Sequence, residues 1–88
     1  MKIRQIVYSK SFAKKLERFS KKDKEKILQK IHIFWQNPFD PSLKTHKLTG
    51  KFKNYWSFSI AFNLRIMFQL DKQETVAFID IGSHEIYK

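Results

Sequence analysis

Both prolines of this chain stand in one short loop, Asn37-Pro38-Phe39-Asp40-Pro41-Ser42, and the hydrophobic period changes across it from 3.6 residues to 2. That change divides the chain into a helical half and a sheet half, because an apolar stripe of one period cannot be buried by the other kind of element. Upstream, Lys2 to Tyr8 carries Ile3, Ile6 and Val7 and reads as a short first strand. Ser9 can then cap a helix over residues 10–19, in which Phe12, Ala13, Leu16 and Phe19 recur at helical spacing. Ser20-Lys21-Lys22-Asp23 has the form of a capping box, and Ile27, Leu28, Ile31, Phe34 and Trp35 make the wide apolar stripe of a second helix. His32 lies amid that stripe and reads as structural. The second helix must stop by Asn37, since proline disfavours helical geometry in the residue before it.

Downstream, Trp56, Phe58, Ile60 and Phe62 alternate with Ser57, Ser59 and Ala61, and Leu64, Ile66, Phe68 and Leu70 alternate with Arg65, Met67 and Gln69. Asp71-Lys72-Gln73-Glu74 should turn the chain into a last strand, Thr75 to Ile81, apolar enough to lie centrally in a sheet. Neither the helices nor the strands can bury their apolar faces alone. The pattern therefore predicts an α+β fold of order β-α-α-β-β-β, with an antiparallel helical hairpin on one face of a twisted, mostly antiparallel sheet. The other face is left open, and strand alternation puts Arg65 on it with Ser57, Ser59 and Met67. Eighty-eight residues suit one domain, 1–88, with no room for a second core.

Charge narrows the class of partner. Eighteen Lys and Arg stand against eight Asp and Glu, for a formal net charge of +10, and eleven of the eighteen fall in the first thirty residues. Such a field attracts polyanions of any sequence, nucleic acid first, although a solvated helix face conferring solubility would look the same. Cysteine is absent, which excludes disulfides and thiolate metal sites and fits a reducing cytoplasm. No apolar run approaches the ~20 residues of a bilayer span, and the N-terminus lacks a secretory h-region, so a cytoplasmic protein without membrane contact is expected. Three dispersed histidines with no paired spacing offer no metal site, and no cofactor motif is present.

Four segments sharpen this reading: His46-Lys47-Leu48-Thr49-Gly50, Tyr55-Trp56-Ser57, Asn63-Leu64-Arg65-Ile66 and Gly82-Ser83-His84-Glu85-Ile86-Tyr87. Together with the element order, they resemble the RelE/ParE superfamily of bacterial type II toxin-antitoxin toxins, over nearly the whole chain. Within it the chain is most similar to the RelE, YoeB and YafQ messenger-RNA endonucleases. The resemblance implies ribosome-dependent cleavage of mRNA in the A site without metal, and inhibition by a cognate antitoxin encoded in an adjoining gene. It matches His46 to a general base, Arg65 to the strand arginine, His84 to the C-terminal acid and, less securely, Tyr87 to the final aromatic. The YafQ-like branch carries a further histidine and an aspartate where this chain has Ser59 and Asn63.

The same residues suit the chemistry. Cleaving RNA without metal needs a base for the 2'-hydroxyl, a cation for the developing phosphorane charge and an acid for the departing 5'-oxygen. Two imidazoles and a guanidinium meet those needs: His46 as base, Arg65 as phosphate stabiliser and His84 as acid, with the two histidine roles interchangeable. Lys47, Lys51 and Lys53 are candidate RNA-phosphate contacts. The competing readings are an ion pair of Arg65 with Asp80 or Glu74, a toxin of the ParE kind that poisons DNA gyrase, and an RNA-binding module without catalysis.

Overall fold

A computed structural model describes residues 2–83 and 86. Strand β1 (Gln5–Tyr8) leads into helices α1 (Lys10–Glu17) and α2 (Lys21–Gln36), and a 3-10 turn at Pro41–Leu43 follows. Strand β2 (His46–Lys47), a second 3-10 turn (Gly50–Phe52) and strands β3 (Trp56–Ala61), β4 (Leu64–Leu70) and β5 (Thr75–Gly82) complete the order. The five strands form one mixed sheet, β1-β5-β4-β3-β2, antiparallel throughout except where β1 runs parallel to β5. The expected α+β architecture is thus present, with β5 in the interior of the sheet as its apolar sequence required. The two-residue β2 is an addition that no periodicity could announce.

Each helix begins where the sequence offers a cap. Ser9 Oγ accepts the Phe12 N–H at 3.0 Å and donates to the Ile79 carbonyl at 2.7 Å, so one hydroxyl both starts α1 and pins it to β5. Ser20 Oγ accepts the Asp23 N–H at 3.1 Å and starts α2. The α2 stripe buries Ile27, Ile31 and Phe34 against the sheet, with Phe34 stacked on Phe58 at 4.4 Å and edge-on to Phe68 at 4.9 Å. Phe12 of α1 reaches Phe78 at 5.3 Å. Phe12, Phe34, Phe58, Phe68 and Phe78 are all fully buried, each contributing about 1.5–3 kcal/mol of burial free energy.

Four expectations are corrected. Strand β1 starts at Gln5, although Ile3 before it is buried and the Arg4 N–H still bonds the Glu74 carbonyl at 2.9 Å. Leu28 and Trp35 lie outside the buried stripe, Trp35 being 43% exposed, and His32 is exposed beside Gln36. Phe62 does not continue the apolar face of β3: the register shifts between Ser59 and Ala61, the strand ends, and the ring stands 99% exposed. Lastly, the face opposite the helices is not bare, since Ser57 is fully buried and Met67 is 5% exposed.

Candidate functional site

His46 and Arg65 come to one face of the sheet through register. His46 lies opposite Ser57, Arg65 lies opposite Ser59, and Ser57 and Ser59 point to the same side of β3. The two are separated by two strands and two residues, about 12 Å between Cα positions on ordinary strand dimensions. Ser57, fully buried, and Ser59 lie between them on that face.

The loop before His46 is built to hold it. Asp40 caps the first 3-10 turn, its carboxylate accepting the Ser42 N–H at 2.9 Å and the Ser42 hydroxyl at 2.7 Å. Those bonds, the side-chain one foremost, hold the Asp40 carboxyl below its ordinary value of 3.8, with a smaller contribution from the Lys30 charge. Leu43 is fully buried and anchors the turn to the core. Lys44 then adopts the left-handed conformation, φ 52°, and its carbonyl lies 3.0 Å from Nδ1 of His46. A neutral ring donates Nδ1–H to that carbonyl, which leaves the Nε2 lone pair outward, the form a general base requires. The imidazole itself is exposed.

Arg65 is held differently. Its cross-strand partners, Ser59 on β3 and Gly82 on β5, carry no charge. Its Nε is buried and has no hydrogen-bond partner among the described residues. The ion pairs that the sequence allowed do not form: Asp80 binds Lys15 of α1 at 2.6 Å, and Glu74 sits in the β4–β5 turn with φ 64°. A guanidinium so placed keeps its charge available for an anion.

Gly82 shapes the same face. Being opposite Arg65, it would carry a Cβ on the arginine's side, and that atom would come 2.7 Å from Cγ2 of Ile86. Glycine leaves room there for the Ile86 side chain, and the Ile86 N–H bonds the Ser83 carbonyl at 3.1 Å. His84 and Tyr87, the other candidates of this segment, lie outside the described residues.

The candidate lysines are more scattered. Lys47 pairs with Trp56, one row further from Arg65, and borders a separate cleft with Asn54, Gln69 and Asp71. Lys51 and Lys53 are exposed on the loop between β2 and β3, with Lys51 Nζ 5.2 Å from the centre of the Phe52 ring. Sequence reasoning passed over Lys30 and Lys44. With Ser42, Ser59, Asn63 and Arg65 they line a cleft of about 460 Å³ between α2, the first 3-10 turn and the β3–β4 hairpin. Their signal was faint, because each is one lysine among many. Among the described residues no three His, Asp or Glu side chains converge as metal ligands would.

The comparisons with known proteins agree with the fold. A family model described as "Bacterial toxin of type II toxin-antitoxin system, YafQ" matches residues 4–87. No curated protein gives a significant match. Among solved structures, a YoeB/ParE toxin from Agrobacterium tumefaciens is similar at 25% identity and a TM-score of 0.76, covering 96% of this chain and 99% of that one. The E. coli DinJ-YafQ toxin-antitoxin complex contains a chain similar at 21% identity and TM-score 0.73, with 92% of each chain covered. The archaeal RelE-RelB complex from Pyrococcus horikoshii OT3 gives 16% identity and TM-score 0.73, over 94% of this chain and 96% of that one.

Proposed function

From the premise that the chain belongs to the YafQ family of type II toxin-antitoxin toxins, we propose that it is an endoribonuclease cutting mRNA in the ribosomal A site by metal-free acid-base chemistry. The observation that carries this reading is the Arg65 side chain, whose buried Nε has no hydrogen-bond partner among the described residues, on the face that also holds His46. His46 Nε2 takes the proton of the 2'-hydroxyl, whose oxygen attacks the adjacent phosphorus. Arg65 stabilises the extra negative charge on the phosphorane oxygens. The P–O5' bond then breaks, the departing 5'-oxygen takes a proton from His84, and a cyclic phosphate remains on the upstream fragment. Tyr87 is assigned to stacking on a base near the cut. Lys47, Lys51 and Lys53 supply sequence-independent attraction to the RNA backbone.

A protein antitoxin is the expected inhibitor, as the DinJ-YafQ and RelE-RelB complexes of similar chains suggest. Opposite this +10 chain it should present an acidic segment. The chain's place of action is the cytoplasm, and no described helix is long and apolar enough to cross a membrane.

Expression of the wild-type chain should arrest growth and yield cut mRNA only when ribosomes are present. His46→Ala and Arg65→Ala should each lower cleavage about 10²- to 10⁴-fold, the range for loss of an acid-base group or a charge-stabilising donor. Undiminished toxicity in both variants, with DNA supercoiling disturbed instead, overturns the nuclease reading. Co-purification with the product of a neighbouring gene tests the partner.

A further inference from the structure

Strand β2 covers β3 only at Trp56 and Ser57, so no described strand pairs with the β3 edge from Ser59 to Ala61. The cleft of Lys30, Lys44 and Arg65 opens along that edge, and Phe62 stands at its rim, 99% exposed, on the tip of the β3–β4 hairpin. A phenylalanine held wholly in water gains nothing for folding. Beside three cations it has the composition of a single-strand nucleotide site: an aromatic face for a base and a cationic groove for the backbone. Lys44 joins this cleft to the catalytic face, because its side chain lines the one while its carbonyl holds His46 of the other.

We infer that this cleft is a nucleotide subsite of the RNA, next to the cleaved phosphodiester, with a flanking phosphate held by Lys30 and Lys44 and its base stacked on Phe62. The inference rests on the RNA-directed reading above and extends it to residues that take no part in the chemistry. An acidic protein segment is the competing occupant. The exposed ring of Phe62 beside two lysines and an arginine favours a nucleotide, which offers both a base to stack and a phosphate to pair, where an acidic peptide offers only the charge.

The test uses the purified chain and a fluorescein-labelled single-stranded 2'-O-methyl RNA decamer, which lacks the free 2'-hydroxyl and cannot be cut. By fluorescence anisotropy, Phe62→Ala should weaken binding about 5- to 100-fold and Phe62→Trp should restore it. Lys30→Gln and Lys44→Gln should each flatten the slope of log affinity against log salt by about 0.7. All three side chains lie at the surface, and unchanged circular dichroism would show the fold intact. Unchanged decamer affinity in Phe62→Ala, with unchanged salt slopes in both lysine variants, overturns the subsite. So does weakened binding of the co-purified antitoxin by Phe62→Ala with RNA affinity unaltered. A wild-type chain that binds the decamer through these residues but never cuts mRNA on ribosomes removes the nuclease reading and leaves the subsite standing.

Discussion

Arg65 shows a conflict between folding and use. A buried donor without an acceptor costs about 1–3 kcal/mol, and among the described residues the Arg65 Nε has none, both cross-strand partners being uncharged. Arg65→Met keeps the length and apolar stem of the side chain while removing the orphaned Nε–H and the charge. It should raise stability by about 1 kcal/mol, or some 4–8 °C in Tm for a domain of this size, while abolishing activity. Thermal melts beside a cleavage assay check both halves, and a lower Tm would mean that the arginine is a structural member of the sheet. Asp40 gives a second residue-scale prediction. Its folded pKa is depressed, so its contribution is present above the ordinary value of 3.8 and is lost as pH falls through the lower folded value. Wild type and Asp40→Ala should therefore differ in Tm at neutral pH and converge in strong acid; a constant gap would assign the loop's order to something other than the ionised carboxylate. The sequence suggested which face Arg65 takes but left its partner open. That partner question turns on Lys15, 65 residues from Asp80, and no local pattern encodes the pairing.

At the scale of elements, the packing of Ile86 on the end of β5 depends on one missing carbon. Gly82→Ala places a methyl 2.7 Å from Cγ2 of Ile86, too close for both to stay, so the Ile86 side chain or the backbone beside it must shift. The core lies on the helix side, so cleavage should fall severalfold or more with Tm lowered by only a few degrees. Ile86→Ala removes the opposing methyl, and the double variant should recover activity relative to Gly82→Ala alone; a purely additive pair would show that the crowding has no bearing on function. Helices and long strands were legible because caps and periods are local: Ser9, Ser20 and Pro38 mark ends, and Phe12, Phe34, Phe58 and Phe68 repeat at the spacing of their element. What escaped was non-local. Two residues cannot display a period, so β2 was invisible; the parallel pairing of β1 with β5 is a matter of topology; and the shift after Ser59, which frees Phe62, is a change of register between strands. The candidate site inherited the same limits. His46 and Arg65 were readable as residue types, whereas the cleft with Lys30 and Lys44 exists only once α2 has been laid beside the hairpin.

The whole molecule carries a charge of +10, and among the described residues Lys15 with Asp80 is its one ion pair. Unpaired like charges on a chain with a radius of gyration of 12.2 Å repel one another over distances that salt controls. Raising salt from about 0.01 M to about 0.1 M shortens the Debye length from roughly 30 Å, comparable with the molecule's extents of 34 × 29 × 25 Å, to roughly 10 Å, below its radius of gyration. Self-repulsion is then screened across the fold, and Tm should rise. RNA affinity should move the opposite way, since its electrostatic part depends on counterions that added salt makes costlier to release. The two curves should cross in sign within one titration: stability up, binding down. Neutralising lysines that meet RNA, Lys30 and Lys44 first, should flatten the binding curve far more than the stability curve, because two charges of eighteen change the global repulsion little and the local phosphate contact greatly. A Tm that stays flat or falls over this range would show that the lysines are already compensated in the folded chain, and the excess charge would then have to be explained as neutral to folding.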